Sequence, residues 1–284
     1  MQTKTPPSGY FQSLSERGTS VSMIADKKSL AVGRLSRLQK TGETLDALFQ
    51  GKLKFFQSRG GYRCSLDALL LADFMTCRGG EKIADLGTGN GIVALILAYR
   101  HPSVSITGLE IQPTMAERAC RNVWMNGFAD RVTIRRVDVR NVQQAFDPGS
   151  FAAVICNPPY RRTTSGRISP NTERKIARHE IAAALSDFLR AGAHLLPIRG
   201  RMALVYPVLH GVDLLKSMRD ANLEPKRLRI VHSFADASAA LVLAEGVKGG
   251  RSGIEVLPPL IVYKQGKQYT AEVEAILAGS VTMY

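Results

Sequence analysis

The chain has 284 residues, 45% of them hydrophobic, enough to bury the core of one large α/β domain with a small appendage. Its 38 Lys and Arg against 24 Asp and Glu give a net charge of +14 and a pI near 9.9, a balance that points to a polyanionic partner and away from a small neutral substrate alone. The cysteines Cys64, Cys77, Cys120 and Cys156 form no C-x-x-C pair and have no histidine at ligand spacing, and no apolar run reaches membrane-spanning length, so no metal, no disulfide framework and no membrane partner is expected.

Residues 1–44 mix Ser, Thr, Gly and Pro with Lys27, Lys28, Arg34, Arg37 and Lys40, and read as a basic, flexible N-terminal extension. No uninterrupted apolar segment of the signal type occurs there, which makes the cytoplasm the expected setting. The patterned domain runs over residues 45–284. Within it, residues 45–80 are a lead-in: Leu45, Leu48 and Phe49, then Leu53 to Gln57, predict two short strands broken at Gly51. Gly60-Gly61-Tyr62-Arg63-Cys64-Ser65 predicts a turn ending in an N-cap serine, ahead of a buried helix from Leu66 to Phe74 with Asp67 in its first turn.

Residues 81–284 carry the core sheet. Lys82 to Leu86 predicts a strand, Gly87-Thr88-Gly89-Asn90-Gly91 a turn, and Ile92 to Tyr99 a helix. Val104 to Leu109 is the next strand, ending in Glu110 and followed by Ile111. Pro113 opens a helix to about Asn126, with Gly127 as its stop. Val132 to Val137 is a third strand, ending in Asp138 and followed by Val139. A fourth, Phe151 to Cys156, runs into Asn157-Pro158-Pro159-Tyr160. It cannot continue there, because two prolines remove ladder donors and fix φ near −65°. Residues 161–178 form a long polar loop carrying Arg161, Arg162, Arg167, Arg174, Lys175 and Arg178. Helical spacing returns from Ile181 to Leu196, then a strand over Met202 to Tyr206, a helix defined by Val212, Leu215 and Met218, and strands at Arg227 to Val231 and Ala239 to Ala244. An extended Pro258 to Tyr263 and a helix from Thr270 to Ala278 complete the pattern. The alternation predicts an open, mostly parallel sheet.

A strand, a glycine-rich turn and a helix start bring backbone close to a ligand at the carboxyl end of the strand. Glu110, at the end of the next strand, suits a ribose, since one carboxylate can accept both hydroxyls; Asp138 suits an adenine amino group. Asp85 either orients the glycine turn or meets a cationic end of the ligand. Asn157 to Tyr160 presents an amide carbonyl, a stiff backbone carbonyl and a flat π-face. That set fits a planar group carrying an NH₂, whether nucleobase or glutamine, and also fits a plain structural turn.

Asp85-Leu86-Gly87-Thr88-Gly89-Asn90-Gly91, Glu110, Asp138 and Asn157-Pro158-Pro159-Tyr160, in this order, resemble the class I methyltransferases that use S-adenosyl-L-methionine and act on exocyclic or amide nitrogens. More narrowly, Gly61 to Ala72 and Ala177-Arg178-His179-Glu180 resemble the bacterial tRNA(Val) adenine-N6 methyltransferase family. The resemblance implies a Rossmann-like sheet of seven strands with helices on both faces. It implies a cofactor site of Asp85, Gly87, Thr88, Gly89, Asn90, Gly91, Glu110, Ile111, Asp138, Val139 and Asn157. Asn157, Pro158, Pro159 and Tyr160 become the catalytic set, and RNA, in particular tRNA, the substrate. The loop arginines and Lys175, the basic extension, and Lys226, Arg227 and Arg229 are the expected phosphate contacts. His179 reads as a helix-start residue and Trp124 as core. Three other functions share these motifs: a glutamine N5 methyltransferase acting on a release factor, a guanine-N2 RNA methyltransferase, and an RNA-binding protein that has lost activity.

Overall fold

The structure, a computed structural model, describes residues 38–60, 64–158 and 185–280. Eight strands form the main sheet: β3 (Lys82–Leu86), β4 (Ser105–Glu110), β5 (Val132–Arg136), β6 (Ala153–Cys156), β7 (Arg201–Pro207), β8 (Leu223–His232), β9 (Ala239–Lys248) and β10 (Glu255–Ile261). Their spatial order is β10-β8-β9-β7-β6-β3-β4-β5. Pairing is parallel throughout except at β9, which runs antiparallel to both β7 and β8.

The sheet thus has one strand more than the seven expected. The eighth is β10, which pairs with β8 despite Pro258 and Pro259. Prolines lack the ladder donor and are tolerated only on an edge. Here the register breaks between Leu257 and Leu260, across the two prolines, and pairing resumes beyond them.

Helices cover both faces because the central strands are apolar on both. Alternate residues of β3, β6 and β7 divide cleanly. Ile83, Ala153, Ile155, Ala203 and Val205 pack on one side with α1 (Leu66–Phe74), α2 (Ile92–Arg100), α3 (Pro113–Met125) and α6 (Ala271–Ala278). Ala84, Leu86, Val154, Cys156, Met202, Leu204 and Tyr206 pack on the other with α4, described over 185–195, and α5 (Gly211–Asp220). On α5 the buried face is Leu214 and Met218, whereas Val212 is 83% exposed, against the expectation that it faces the core. Ser65 does occupy the N-cap of α1, in extended backbone, but its hydroxyl caps no helix amide.

The lead-in is an antiparallel hairpin of β1 (Glu43–Leu48) and β2 (Leu53–Ser58), turned at Phe49, Gln50 and Gly51, all with positive φ. A buried ionic knot fastens it to α3. Arg121 donates to both oxygens of Glu43 at 2.8 and 2.7 Å, and Arg118 adds a third bond at 2.8 Å. Burial pushes the Glu43 carboxyl up, but the bonds from Arg121, Arg118 and the Lys40 amide outweigh it and bring it down to about 2. A carboxyl so depressed contributes stability that is present above its ordinary 4.5 and lost as pH falls through 2. Glu43→Gln takes the counter-charge from Arg118 and leaves Arg121 with Glu117 alone, and it is expected to lower unfolding free energy by about 3 kcal/mol in urea titration. A loss under about 1 kcal/mol is the value of a solvent-screened pair and would contradict this account.

Candidate active site

From β3 the chain builds outward through β4 to β5, then returns to place β6 on the opposite side of β3. That reversal opens a crevice at the carboxyl ends of β3 and β6, the place where open α/β sheets take ligands. Register fixes what lines it. Leu86 is opposite Leu109 on β4 and Cys156 on β6, so Gly87, Glu110 and Asn157 leave three adjacent strands abreast.

The glycine turn holds its shape through specific contacts. Gly87, Gly89 and Gly91 have φ of +69°, +59° and +84°, the left-handed region open to glycine at little cost. The amides of Gly87 and Thr88 both donate to the Leu109 carbonyl, at 2.8 and 3.0 Å. Glu110, 6% exposed, accepts the Gly89 amide on Oε2 at 2.9 Å and the Gln112 amide on Oε1 at 2.8 Å. Each oxygen keeps a second lone pair, which is what a ribose diol requires. A Cβ at Gly89 would have nothing nearer than 4.0 Å, so space over the turn is open, while one at Gly87 would come 3.1 Å from the ring of Phe188 on α4. The donor set and the open ground above Gly89 fit a ribose-bearing cofactor.

Of the two roles open to Asp85, the contacts support orientation of the turn. The carboxylate is 1% exposed and its Oδ2 accepts the Thr88 hydroxyl at 2.5 Å. Thr88 reaches it only because residue 108 on β4 is glycine; a Cβ there would lie 2.9 Å from both Thr88 Cγ2 and Oγ1. A lone glycine inside a strand is the sequence sign of such an approach.

Burial pushes the Asp85 carboxyl up to about 7, against the lowering pull of the Thr88 hydroxyl and the Ala94 amide. Between its ordinary 3.8 and 7 the native state holds a proton that the unfolded chain releases, so stability from this group is complete in acid and lost as pH rises through 7. Asp85→Asn stays uncharged and can satisfy both neighbours, its oxygen taking the Ala94 amide and its NH₂ the Thr88 hydroxyl oxygen. It is expected to resist urea more than wild type at about pH 8, by roughly 2–4 kcal/mol, with the gap closing near pH 4. A gap that widens toward acid would show the carboxylate to be ionised in the native state.

Asp138 stands at the end of β5, capping the 3-10 segment Val139–Gln144. Arg140 occupies its carboxylate: its amide donates to Oδ1 at 2.9 Å, and its guanidinium spans both oxygens at 2.6 to 3.0 Å. The Arg140 guanidinium holds the Asp138 carboxyl below its usual range. The arginine is 65% exposed, so solvent screens its hold on Asp138 and a ligand amine could take its place. Ile111 is half-exposed beside Glu110, and Val139 is half-buried.

Asn157 is half-buried and Pro158 buried. Pro159, Tyr160, Arg161, Arg162, Arg167, Arg174, Lys175, Arg178 and His179 lie outside the described residues, as do Lys27, Lys28, Arg34 and Arg37. Trp124 is half-buried on α3. Among the described cations, Arg227 and Arg229 are not the free phosphate contacts expected of them. Arg227 lies over the Phe74 ring and pairs with Glu245, and Arg229, 4% exposed, pairs with Glu272 at 2.7 Å and donates to the Pro258 carbonyl. Lys226 donates to the carbonyls of Arg251 and Gly253. Among the described residues no group of three or more His, Cys, Asp or Glu could hold a metal ion.

Three residues of the site carry weight that their sequence context does not announce. Gly108 makes room for Thr88, Phe188 walls the turn at Gly87, and Asn122 on α3, fully buried, donates to the Asn90 carbonyl at 2.9 Å.

Residues 65–211, which include β3 to β7 and every crevice residue above, match the family model of the methyltransferase small domain. The chain is 35% identical over 168 residues to the tRNA1(Val) (adenine(37)-N6)-methyltransferase of Vibrio campbellii, covering 58% of this chain and 68% of that protein. It is 32% identical over 160 residues to the enzyme of the same name from Tolumonas auensis, covering 56% and 65%. The chain thus spans about two thirds of the length of these relatives. A crystal structure from Agrobacterium tumefaciens, titled as a predicted O-methyltransferase, shares the fold with a TM-score of 0.63 at 22% identity, covering 76% of this chain and 98% of its own. The chain belongs to the methyltransferase small domain family and, within it, to the family of the tRNA1(Val) adenine-N6-methyltransferases.

Proposed function

We propose that the protein transfers a methyl group from S-adenosyl-L-methionine to the exocyclic N6 of an adenine in tRNA. The observation that supports this most directly is the placement of Gly87, Glu110 and Asn157 on adjacent strand ends, which sets a cofactor turn beside an amide acceptor. Family membership supplies the reaction class. The bound cofactor supplies a methyl already activated on a sulfonium, so the protein's task is alignment and needs no metal or strong base.

Glu110 holds the ribose diol on the lone pairs left free by Gly89 and Gln112, and the glycine turn gives the cofactor close backbone approach. Asp138 takes the cofactor's adenine amino group in exchange for Arg140. On the substrate side, the two N–H bonds of the target amine go to Asn157 Oδ1 and to the Pro158 carbonyl. Held there, the nitrogen has its lone pair directed at the methyl and away from the ring. The methyl's S–C bond would break as its bond to N6 forms, with neutral S-adenosylhomocysteine as the leaving group, and the loss of one of the two held protons to solvent would leave the methylated amine neutral.

A base inside a helix cannot reach such a site, so the adenine is unstacked and extruded. Tyr160 then stacks on it, worth on the order of 1–3 kcal/mol. The net charge of +14 draws the RNA in. With Arg227 and Arg229 paired internally, the phosphate contacts fall to Arg161, Arg162, Arg167, Arg174, Lys175, Arg178 and the basic extension.

The test is methylation of undermodified bulk tRNA, followed by digestion to nucleosides and mass analysis. N6-methyladenosine is the expected product. Label in N2-methylguanosine, or in a release-factor glutamine when that protein is offered instead, would replace this reading.

A further inference from the structure

A two-stranded hairpin leaves the outer edge of each strand with unpaired backbone groups, which demand partners when covered. The outer edge of β2 is paired by side chains of α3. Asn122 Oδ1 accepts the Phe56 amide at 2.7 Å and its Nδ2 donates to the Phe56 carbonyl at 3.1 Å. One turn along the helix, Asn126 repeats the pattern on Lys54, accepting its amide at 3.0 Å and donating to its carbonyl at 2.6 Å. The spacing matches because four helical residues rise about 6 Å and two strand residues about 6.7 Å. The helix thus takes the place of a third strand.

The two asparagines differ in their remaining donor. That of Asn126 goes back to the Asn122 carbonyl within α3. That of Asn122 goes to the Asn90 carbonyl, between the two glycines that shape the end of the cofactor turn. Three residues earlier on the same face of α3, the Ala119 Cβ lies 3.2 Å from where a Cβ of Gly91 would stand. The second half of the turn therefore rests on α3 at two points, one a hydrogen bond and the other close packing, while Gly89 is held by Glu110. Asn122 is fully buried and both of its N–H donors are used.

We propose that Asn122 is a positioning residue for the cofactor site. It fixes the Asn90 carbonyl, and with it the path of the turn, against the docked β1–β2 hairpin, so hairpin docking and cofactor binding are linked through one side chain. This rests on the reading of the glycine turn as the S-adenosyl-L-methionine site. Asn126 provides the internal control, since it docks the same strand without touching the turn.

Binding of S-adenosylhomocysteine is measured by calorimetry for wild type, Asn122→Ala and Asn126→Ala, with thermal unfolding alongside. Both variants lose hairpin bonds and are expected to melt earlier. Only Asn122→Ala is expected to weaken binding, by about tenfold or more, with kcat at saturating cofactor and KM for tRNA within about twofold of wild type. Equal weakening in the two variants, or unchanged binding in a folded Asn122→Ala, overturns the proposal. The wild-type protein gives a second reading that depends on no variant: linkage is reciprocal. Adding S-adenosylhomocysteine should slow hydrogen exchange at the Phe56 amide, which donates to Asn122, and leave the Lys54 amide unchanged. Equal slowing at both, or at neither, overturns it as well. Wild type that fails to bind S-adenosylhomocysteine at all would instead remove the cofactor reading itself.

Discussion

Asn157→Ala is expected to lower kcat for tRNA methylation by at least about 10²-fold while leaving S-adenosylhomocysteine affinity within about threefold. The magnitude follows from what the side chain does. Of the two acceptors for the target amine, the Pro158 carbonyl belongs to the backbone and survives the substitution; Asn157 Oδ1 does not. One N–H then loses its placed acceptor, and the nitrogen lone pair stays delocalised into the ring. Removing one pre-placed hydrogen-bonding group from a transition state costs about 10²–10³ in kcat in well-studied hydrolases. The loss appears in kcat more than in KM for tRNA, because base stacking and phosphate contacts are untouched. The cofactor turn is held by Leu109, Glu110, Asp85 and Asn122, so it keeps its shape, and with it most of the cofactor's contacts, in the variant. Single-turnover kinetics with calorimetry checks both halves. A variant with unchanged kcat would remove Asn157 from the chemistry.

What the sequence disclosed, it disclosed where contiguous residues determine the outcome. The glycine turn follows its strand directly and opens its helix, so Asp85 to Gly91 can be read as a unit, and Glu110 follows from the next strand's end. Elements fixed by distant partners were harder. Pro258 and Pro259 open the extended segment expected over Pro258 to Tyr263, whereas β10 starts earlier, at Glu255, and carries them inside it because β8 offers an edge on which their missing donors do no harm. Val212, Leu215 and Met218 mark the helical stripe in the sequence; the way α5 lies on the sheet buries Leu214 with Met218 and exposes Val212. Arg227 and Arg229 count toward the net charge like any cation, and only the fold shows them facing Glu245 and Glu272. Asn122 is the clearest case. An asparagine between Arg121 and Val123 on an amphipathic helix gives no sign of burial, and its three partners come from a hairpin and a turn far away in the chain.

The charge pattern acquires a division of labour from these pairings. The buried ions do structural work: Glu43 with Arg121 and Arg118 on the hairpin, Arg201 with Glu81 at the start of the sheet, Arg100 with Asp73 between helices. Such pairs stand outside the reach of an incoming polyanion and screen little with salt. The excess positive charge available to RNA therefore comes from the remaining cations, and the residues that bound the target turn on its C-terminal side are dense in them: Arg161, Arg162, Arg167, Arg174, Lys175 and Arg178. Under the proposed function, long-range attraction and base capture are adjacent in the chain, while the cofactor site is built of neutral backbone and buried acids.

Glu110→Ala is expected to weaken S-adenosylhomocysteine binding by at least about 10²-fold, and Glu110→Gln to weaken it nearly as much. The carboxylate has two tasks at once. Its oxygens each accept a backbone amide, from Gly89 and Gln112, and each retains a lone pair for one ribose hydroxyl. Alanine removes all four bonds; hydrogen bonds to a charged acceptor contribute about 1.5–3 kcal/mol each, so the two ribose bonds alone account for the factor. Glutamine matches the shape but has one acceptor oxygen, and its NH₂ must then face the N–H of either Gly89 or Gln112. Two donors cannot bond each other, so the turn or the start of α3 must shift. Hydrogen exchange at Gly89 separates the two tasks in the glutamine variant. If binding falls while the Gly89 amide stays protected, the NH₂ has turned toward Gln112 and the deficit lies at the ribose. If both fall, the turn has lost its anchor. A glutamine variant that binds as tightly as wild type would mean that the carboxylate is not the ribose acceptor, and would leave Asp138, once released by Arg140, as the remaining acid at the crevice.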